Sequence, residues 1–510
     1  MTRFLLRASR RPDGAACQRS LTATGLVAAA LALSACQTAS VSSASSAVHV
    51  ARQATTTATS SVAVVSTPSA RSVSPGGVVE QVLPNGLKVL VKPDNRAPTV
   101  AHMVWYKAGS IDEVNGRTGV AHVLEHMMFK GTRSIGPGEF SRRVAAMGGR
   151  ENAFTSRDYT GYFQQVHKSK LGDVMALEAD RMGNLQLTKE EFDKEIRVVM
   201  EERRLRTEDK ATALLYEQLM ASVFTANPYR QPVVGWMSDL EAMTVDDARA
   251  WYDAWYTPSN AVLVVAGDVD PDAVIALAES TYGTWPARAV PPRKPQTEPV
   301  QKGLRRIEVK APADNPYVAL AFRVPGLSSI DTDREAFALE VLSSVLDSGD
   351  SSRLTRHIVR GSRVANQAGA GYNLVQRGPA LFTLDGTPAD GRTTADVERA
   401  LRAEIARIAA EGVPQAELER VKVQYVAQRV YKRDSVFGQA MEIAGLTMVG
   451  LSSGDADRIL TKVRAVTSDE VKAVAAKYFG DDALTVATLL PQPIAPGSVR
   501  RSAPPAGARH

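Results

Sequence analysis

Residues 243–269 read MTVDDARAWYDAWYTPSNAVLVVAGDV, and residues 466–491 read VTSDEVKAVAAKYFGDDALTVATLLP. Each stretch opens on a threonine followed three residues later by an acid, Thr244 with Asp247 and Thr467 with Glu470. That spacing is a capping box, in which hydroxyl and carboxylate satisfy the free N–H groups of a helix start. Each continues as a short amphipathic helix to an aromatic residue, Tyr256 or Phe479, and then into an apolar strand, AVLVVAG or ALTVATL. The two threonines stand 223 residues apart. Nearer the front, APTVAHMVWYKAGS (97–110) and NPYVALAFRVPGLSS (315–329) share a strand-then-glycine pattern. The chain is therefore an internal duplication of two bodies, 79–287 and 305–490, joined by a proline-rich linker at 288–304.

Within the first body, QVLPNGLKVLVKPD (81–94) is a hairpin signal with its turn at Pro84-Asn85-Gly86. Leu87, Val89 and Val91 form one apolar face, and Leu90 breaks the alternation. Helical periodicity predicts helices over 118–130, 137–148, 168–184, 188–206 and 211–224. Strands grouped with several helices, without regular βαβα alternation, give an α+β class. Each half is expected to be a mostly antiparallel sheet packed with helices.

The chain has 510 residues, with 44% hydrophobic and 23% charged residues, which suits two or more soluble globular domains. Its net charge of +6 falls to +2 without residues 1–35, which hold five arginines and one aspartate. The basicity is a feature of the leader, and nucleic acid is not an expected partner. After the arginines comes LTATGLVAAALALSA (21–35), too short to span a membrane and suited to a signal segment. Leu33-Ser34-Ala35-Cys36 resembles a bacterial lipobox, which implies cleavage before Cys36 and its lipidation. Gln37 resembles the residue of lipoproteins sent to the outer membrane, so the expected location is the periplasmic side of the envelope. Residues 37–78, rich in Ser, Thr and Ala, read as a disordered tether, and 491–510 as a disordered tail. The only other cysteine, Cys17, lies in the leader, so any metal in the mature chain must be held by His, Asp or Glu.

Residues 121–129 read AHVLEHMMF, in a chain with seven histidines. Val120, Val123, Leu124, Met127 and Met128 have helical spacing, which puts His122 and His126 one turn apart on one face. Two parallel imidazoles can reach one ion, and Glu125 beside them can take a proton from water as general base. The order His-x-x-Glu-His is the inverted zinc-peptidase motif. A third ligand is required. LTKEEFDKEIRVVMEERRLRTED (187–209) begins with Thr188 and Glu191 as a capping box and offers Glu195 and Glu202 on one face. Spacing does not choose between them, nor exclude Glu201.

Together GVAHVLEHMMFKGT (119–132) and IRVVMEERRLRTED (196–209) resemble the pitrilysin/insulinase family of zinc metallopeptidases, in the branch of mitochondrial processing peptidase and its bacterial relatives. The resemblance covers about 80–490. It implies a clamshell of two homologous halves and one zinc ion per chain, held by His122, His126 and Glu202. It also implies that Glu195 supports the site without being a required ligand. MGGRENAFTSRDYTGYF (147–163) resembles the family's substrate-binding edge strand, which points to Asn152, Ala153, Phe154 and Thr155 as peptide-binding residues. NPYRQPVVGW (227–236) is also family-like and is given a structural role only.

The second body departs from the pattern. Matching Gly349 in ALEVLSSVLDSG to Gly131 sets Glu340, Ser343 and Ser344 opposite His122, Glu125 and His126, so this half lacks the triad. The resemblance also implies an Arg and a Tyr seven residues apart after Ser-Arg-Leu, serving as oxyanion stabilisers. In SSRLTRHIVRGSRVANQ (351–367) those positions are Val359 and Asn366, and the offset Arg360 leads to Gln367. A homologous subunit is therefore expected to supply the pair in a heterodimer, with a homodimer as the alternative. The expected activity is zinc-dependent hydrolysis of extended peptides. The competing reading is a non-catalytic scaffold, or a tethered peptide binder, that keeps the fold.

Overall fold

The computed structural model describes residues 71–294 and 296–494. The leader, Cys36 and the tether up to residue 70 lie outside the described residues, as does the tail from 495. Among the described residues no helix is long and apolar enough to cross a membrane.

Seven strands make the first sheet: β1 (Ser72–Val73), β2 (Val79–Val82), β3 (Lys88–Pro93), β4 (Thr99–Tyr106), β5 (Arg150–Thr155), β6 (Thr160–His167) and β7 (Ala261–Gly267). Five make the second: β8 (Arg305–Pro312), β9 (Tyr317–Val324), β10 (Ala365–Tyr372), β11 (Ala380–Pro388) and β12 (Leu484–Gln492). Their orders are β1-β2-β3-β7-β4-β6-β5 and β10-β11-β9-β12-β8. From β3 onward the two run in the same sequence, since β8, β12, β9, β11 and β10 repeat β3, β7, β4, β6 and β5. Each sheet has one parallel pair, β3 with β7 and β8 with β12, and is otherwise antiparallel. The fold is α+β, two sheets packed against helices. Of the three capping boxes read from sequence, those at Thr244 and Thr467 are formed, while at Thr188 the hydroxyl alone caps the helix and the Glu191 carboxylate pairs with Lys194 at 2.8 Å.

Two segments assigned by composition to tether and tail carry structure. β1 pairs with β2 and Val78 is buried, so order begins before residue 79. β12 runs on through Pro491 and Gln492, held by its parallel register with Ala311 and Pro312 of β8.

The turn between β2 and β3 falls at Pro84-Asn85-Gly86, where Gly86 takes φ +83° and donates to the Leu83 carbonyl at 2.8 Å. Leu87, Val89 and Val91 enter the main core of the first half. Leu90 enters a different core, with Ala101, Met103, Trp105, Val262, Val264 and Ala266 on one side and Val436, Ala440, Ile443, Ala444 and Met448 on the other. Those last residues belong to helix Val436–Met448, which follows β11 in the chain. The broken alternation at Leu90 is thus a strand buried on both faces. The exchange is reciprocal. Helix Ala211–Val223 buries Leu215, Leu219 and Val223 against Ala311, Ala319, Ala321, Ala487 and Leu489 of the second sheet. Each half lends one helix to cover the other's sheet.

A polar clasp adds to this. Arg377 donates through Nη1 and Nη2 to the two Asp112 oxygens at 2.8 and 2.9 Å, and through Nη1 to the Asp158 carbonyl at 2.7 Å. The Tyr229 hydroxyl donates to Asp158 and accepts from the Gly378 N–H at 2.9 Å.

Candidate metal centre

Helix Val120–Met127 is buried along its whole length, so its polar residues must be matched by partners. Its start is fixed by a carboxylate. Glu113, buried, accepts from the N–H groups of Gly119 and Ala121, both at 2.9 Å. A second contact holds the same end. Gly119 (φ +87°) and Gly235 (φ +87°) pass so closely that a Cβ on either would lie 2.5 Å from the Val234 carbonyl oxygen or 2.3 Å from that of Thr118. Segment 227–236 thereby clamps the helix, and Arg230 to Val234 also line the cavity below, a part not read from its sequence.

His122 and His126 project from this helix with ring centroids 4.7 Å apart. Helix Lys189–Arg203, started by the Thr188 hydroxyl accepting from the Glu191 N–H, brings Glu202 to them. Glu202 Oε2 lies 3.3 Å from His126 Nε2 and 3.9 Å from His122 Nε2. One donor atom from each of the three residues falls within a 4.8 Å span. Ligands at about 2.0–2.1 Å around a tetrahedral zinc stand about 3.3–3.4 Å apart, the spacing Glu202 and His126 already have, and the other separations, 3.9 Å and at most 4.8 Å, would shorten to hold one. Two imidazoles and a carboxylate are also a donor set suited to zinc. Of the three acids that spacing left open, the fold brings Glu202 to both rings. Glu195 instead accepts from His126 Nδ1 at 2.9 Å, which leaves Nε2 toward Glu202. That is how an outer carboxylate fixes the tautomer of a metal-binding histidine. Glu201 pairs with Arg204 at 3.2 Å.

Two cations absent from the sequence reading complete the cluster. Lys130 Nζ lies 2.6 Å from Glu195 Oε2, and Arg206 pairs with Glu202. Arg206 comes from a π-helical turn, Arg204–Glu208, that replaces the expected last turn of the helix. Burial opposes the charge on His126, but its bonds to Glu195 and Glu202 outweigh this and push it up to about 9. Burial likewise opposes the charge on Glu202, and the two histidines and Arg206 overcome it, bringing it down to about 2. Glu195 is lowered, with burial overcome by His126 and Lys130. Glu125 goes the other way: burial raises it, and His126 and the Thr155 hydroxyl only partly offset that.

Thr155 Oγ1 donates to Glu125 Oε2 at 2.5 Å. Thr155 ends β5, which among the described residues pairs only with β6 and is the outer strand of its sheet. Asn152, Ala153, Phe154 and Thr155 line one 1170 Å³ cavity with His122, Glu125 and Glu202. In the second half, Glu340 and Ser343 are buried on helix Arg334–Leu346, while Arg360 is exposed and pairs with Asp350 at 3.0 Å.

Comparison with known proteins bears on this cluster. Residues 88–235 match the family model described as Insulinase (Peptidase family M16), and residues 242–425 match the one described as Peptidase M16 inactive domain. The chain is 32% identical to the zinc protease PqqE of Helicobacter pylori over 419 residues, which is 80% of this chain and 92% of that protein. It is also 32% identical to an uncharacterized zinc protease of Mycobacterium leprae over 68% of this chain and 77% of that one. The crystal structure of a protease from Helicobacter pylori superposes with a TM-score of 0.77 at 29% identity, covering 81% of this chain and 99% of that one. The periplasmic protease PqqL of Escherichia coli shares the fold at 21% identity and TM-score 0.69, with 83% of this chain matching 48% of that one.

Proposed function

The chain belongs to the insulinase-type M16 peptidase family, and from that premise we propose that it is a zinc-dependent endopeptidase acting on extended peptides in the cell envelope. The observation that carries the proposal is the meeting of His122, His126 and Glu202 within 4.8 Å, beside Glu125 and under an outer strand. His122, His126 and Glu202 would hold a zinc ion, which when bound would supply Lewis acidity toward a peptide carbonyl and water. The remaining steps belong to the chain. An extended peptide adds to the free edge of β5, along Asn152 to Thr155, through backbone hydrogen bonds that tolerate many side chains. Thr155 ties that strand to Glu125, so the scissile bond is positioned by the group that holds the base. Glu125 takes the proton of the attacking water and passes it to the departing amine. Burial favours its protonated form and so suits the second transfer.

The Arg and Tyr that would stabilise the oxyanion are replaced at positions 359 and 366 by Val, which has no side-chain donor, and Asn, whose amide donates to the Pro388 carbonyl at 3.4 Å. A homologous subunit carrying the Arg/Tyr pair supplies them. The match of this chain to 48% of PqqL supports that arrangement, because a neighbour of the same fold has room for two such units in one polypeptide. Lipidation of Cys36 would place the enzyme on the periplasmic side, and Cys36→Ser should release it from membranes to the soluble fraction.

The test is Glu125→Gln in the full chain, assayed on unfolded peptides with and without a homologous subunit. Metal content should stay at one per chain while turnover drops about 10²–10⁴-fold. Turnover near the parent level would remove Glu125 from the role of base.

A further inference from the structure

The carboxylates that line the metal cavity are all engaged. Glu125, Glu195 and Glu202 are committed to the cluster described above, and Glu201 and Glu217 pair with Arg204 at 3.2 Å and Arg203 at 2.8 Å. One cation on the same wall is not. Arg157 follows Thr155 by two residues, on the turn between β5 and β6 where the Ser156 N–H donates to the Tyr159 carbonyl at 2.9 Å. It is half-buried and lines the cavity. Among the described residues no carboxylate forms an ion pair with its guanidinium, and its buried Nε has no hydrogen-bond partner. The adjacent acid, Asp158, already accepts from the Tyr229 hydroxyl and from the Arg377 backbone N–H at 3.1 Å. What holds Arg157 is the Tyr229 ring, whose centroid lies 5.6 Å from the guanidinium carbon. Burial opposes its charge and pulls its pKa down, and Tyr229 and Asp158 offset this only in part. Arg230, on the same cavity, meets only neutral oxygens, those of Thr225 and Asn115, at 3.0 and 3.3 Å.

A guanidinium taken partly out of water without an anion is a poor structural device, because the cost of desolvation is recovered only by a paired charge. It is a good recognition device, because its planar fork takes a carboxylate through two parallel N–H bonds. Its position says what would bring that carboxylate. A peptide laid along β5 passes Thr155 and Glu125 and then meets Arg157, two residues or about 7 Å of strand further on. We propose that Arg157 is a specificity residue, which selects peptides presenting a carboxylate close to the scissile bond, with Arg230 adding to the positive field there. That carboxylate belongs to an Asp or Glu side chain or to the substrate's own C-terminus. The inference rests on the peptidase reading for its substrate class, and binding measured without hydrolysis separates the two.

The test is fluorescence anisotropy of short labelled peptides with the full metal-loaded chain carrying Glu125→Gln. Three peptides of one sequence are compared: a central glutamate with an amidated C-terminus, glutamine in its place with an amidated C-terminus, and glutamine with a free C-terminus. One of the two acidic peptides should bind about 10–100-fold more tightly than the neutral one, and which does so identifies the source of the carboxylate. Adding Arg157→Gln should erase that advantage, and Arg157→Lys should keep part of it. Arg157→Glu should reverse it in favour of a lysine peptide, an outcome that a purely structural stack on Tyr229 would not give. The proposal is overturned if no peptide saturates, if all three bind equally, if the advantage survives Arg157→Gln, or if Arg157→Glu gains no preference for lysine. Carboxylate preference in a parent chain that hydrolyses nothing would remove the peptidase reading and leave this one standing. Hydrolysis without that preference would do the opposite.

Discussion

His126 sits between two carboxylates, and in the metal-free chain that environment holds a proton on it up to about pH 9. A ligand must be deprotonated to bind, so metal and proton compete for the ring. The raised value fixes the sign: apparent zinc affinity should rise about tenfold per pH unit from neutrality and level off above about pH 9. Glu195→Gln removes one of the carboxylates. The levelling point should move to lower pH, and affinity on the plateau should fall about 10–100-fold through loss of the orienting bond. Competition with a chromophoric chelator measures both, and an affinity flat between pH 6 and 9 would overturn the assignment of His126 as ligand. At this scale the sequence was informative where one helical turn sufficed, as for His122, Glu125 and His126. It left Glu195, Glu201 and Glu202 open because a seven-residue spacing defines a helix face without saying what the face meets. Lys130 and Arg206 were illegible for a similar reason, since each acts through a carboxylate on another element or in a π turn.

Among the elements, the helices read from periodicity are present, and all but Ala211–Val223, which faces the second sheet, turn their apolar stripes to the core of their own half. Helix Val436–Met448 left its mark elsewhere, in the broken alternation at Leu90 and the unbroken run AVLVVAG of β7, both of which it covers. A pattern within one strand shows that a second face is buried but cannot name the element that buries it. Ala440, fully buried on that helix, gives the test. Ala440→Asp places a carboxylate against the sheet face formed by Met103, Trp105 and Val264. Destabilisation of several kcal/mol is expected, with loss of thermal stability in the first half as well as the second. Thermal unfolding followed by tryptophan fluorescence reports the first half, since all five tryptophans lie before residue 286. An unchanged transition there would contradict the coverage described.

For the whole molecule, the exchanged helices and the Arg377 clasp make the two halves one cooperative unit. A specific protease site inserted between residues 286 and 302, where no helix or strand runs among the described residues, should yield two fragments that co-elute on size exclusion and separate only in denaturant. Fragments that part in native buffer would mean the linker, not packing, holds them. The duplication was legible because it repeats local signals, capping box, aromatic and strand, in order. The exchange was not, because it pairs helix Ala211–Val223 with β8, β9 and β12 and helix Val436–Met448 with β3, β4 and β7, elements distant in the chain with no signal of their own.

The traded helices also carry a historical consequence. Two identical half-length polypeptides that swap one helix form a dimer with two equal chambers, and a short connector between them gives the topology seen here. Once fused, the copies no longer need to stay alike. One half can keep the His122, His126 and Glu202 set while its twin is released from that duty.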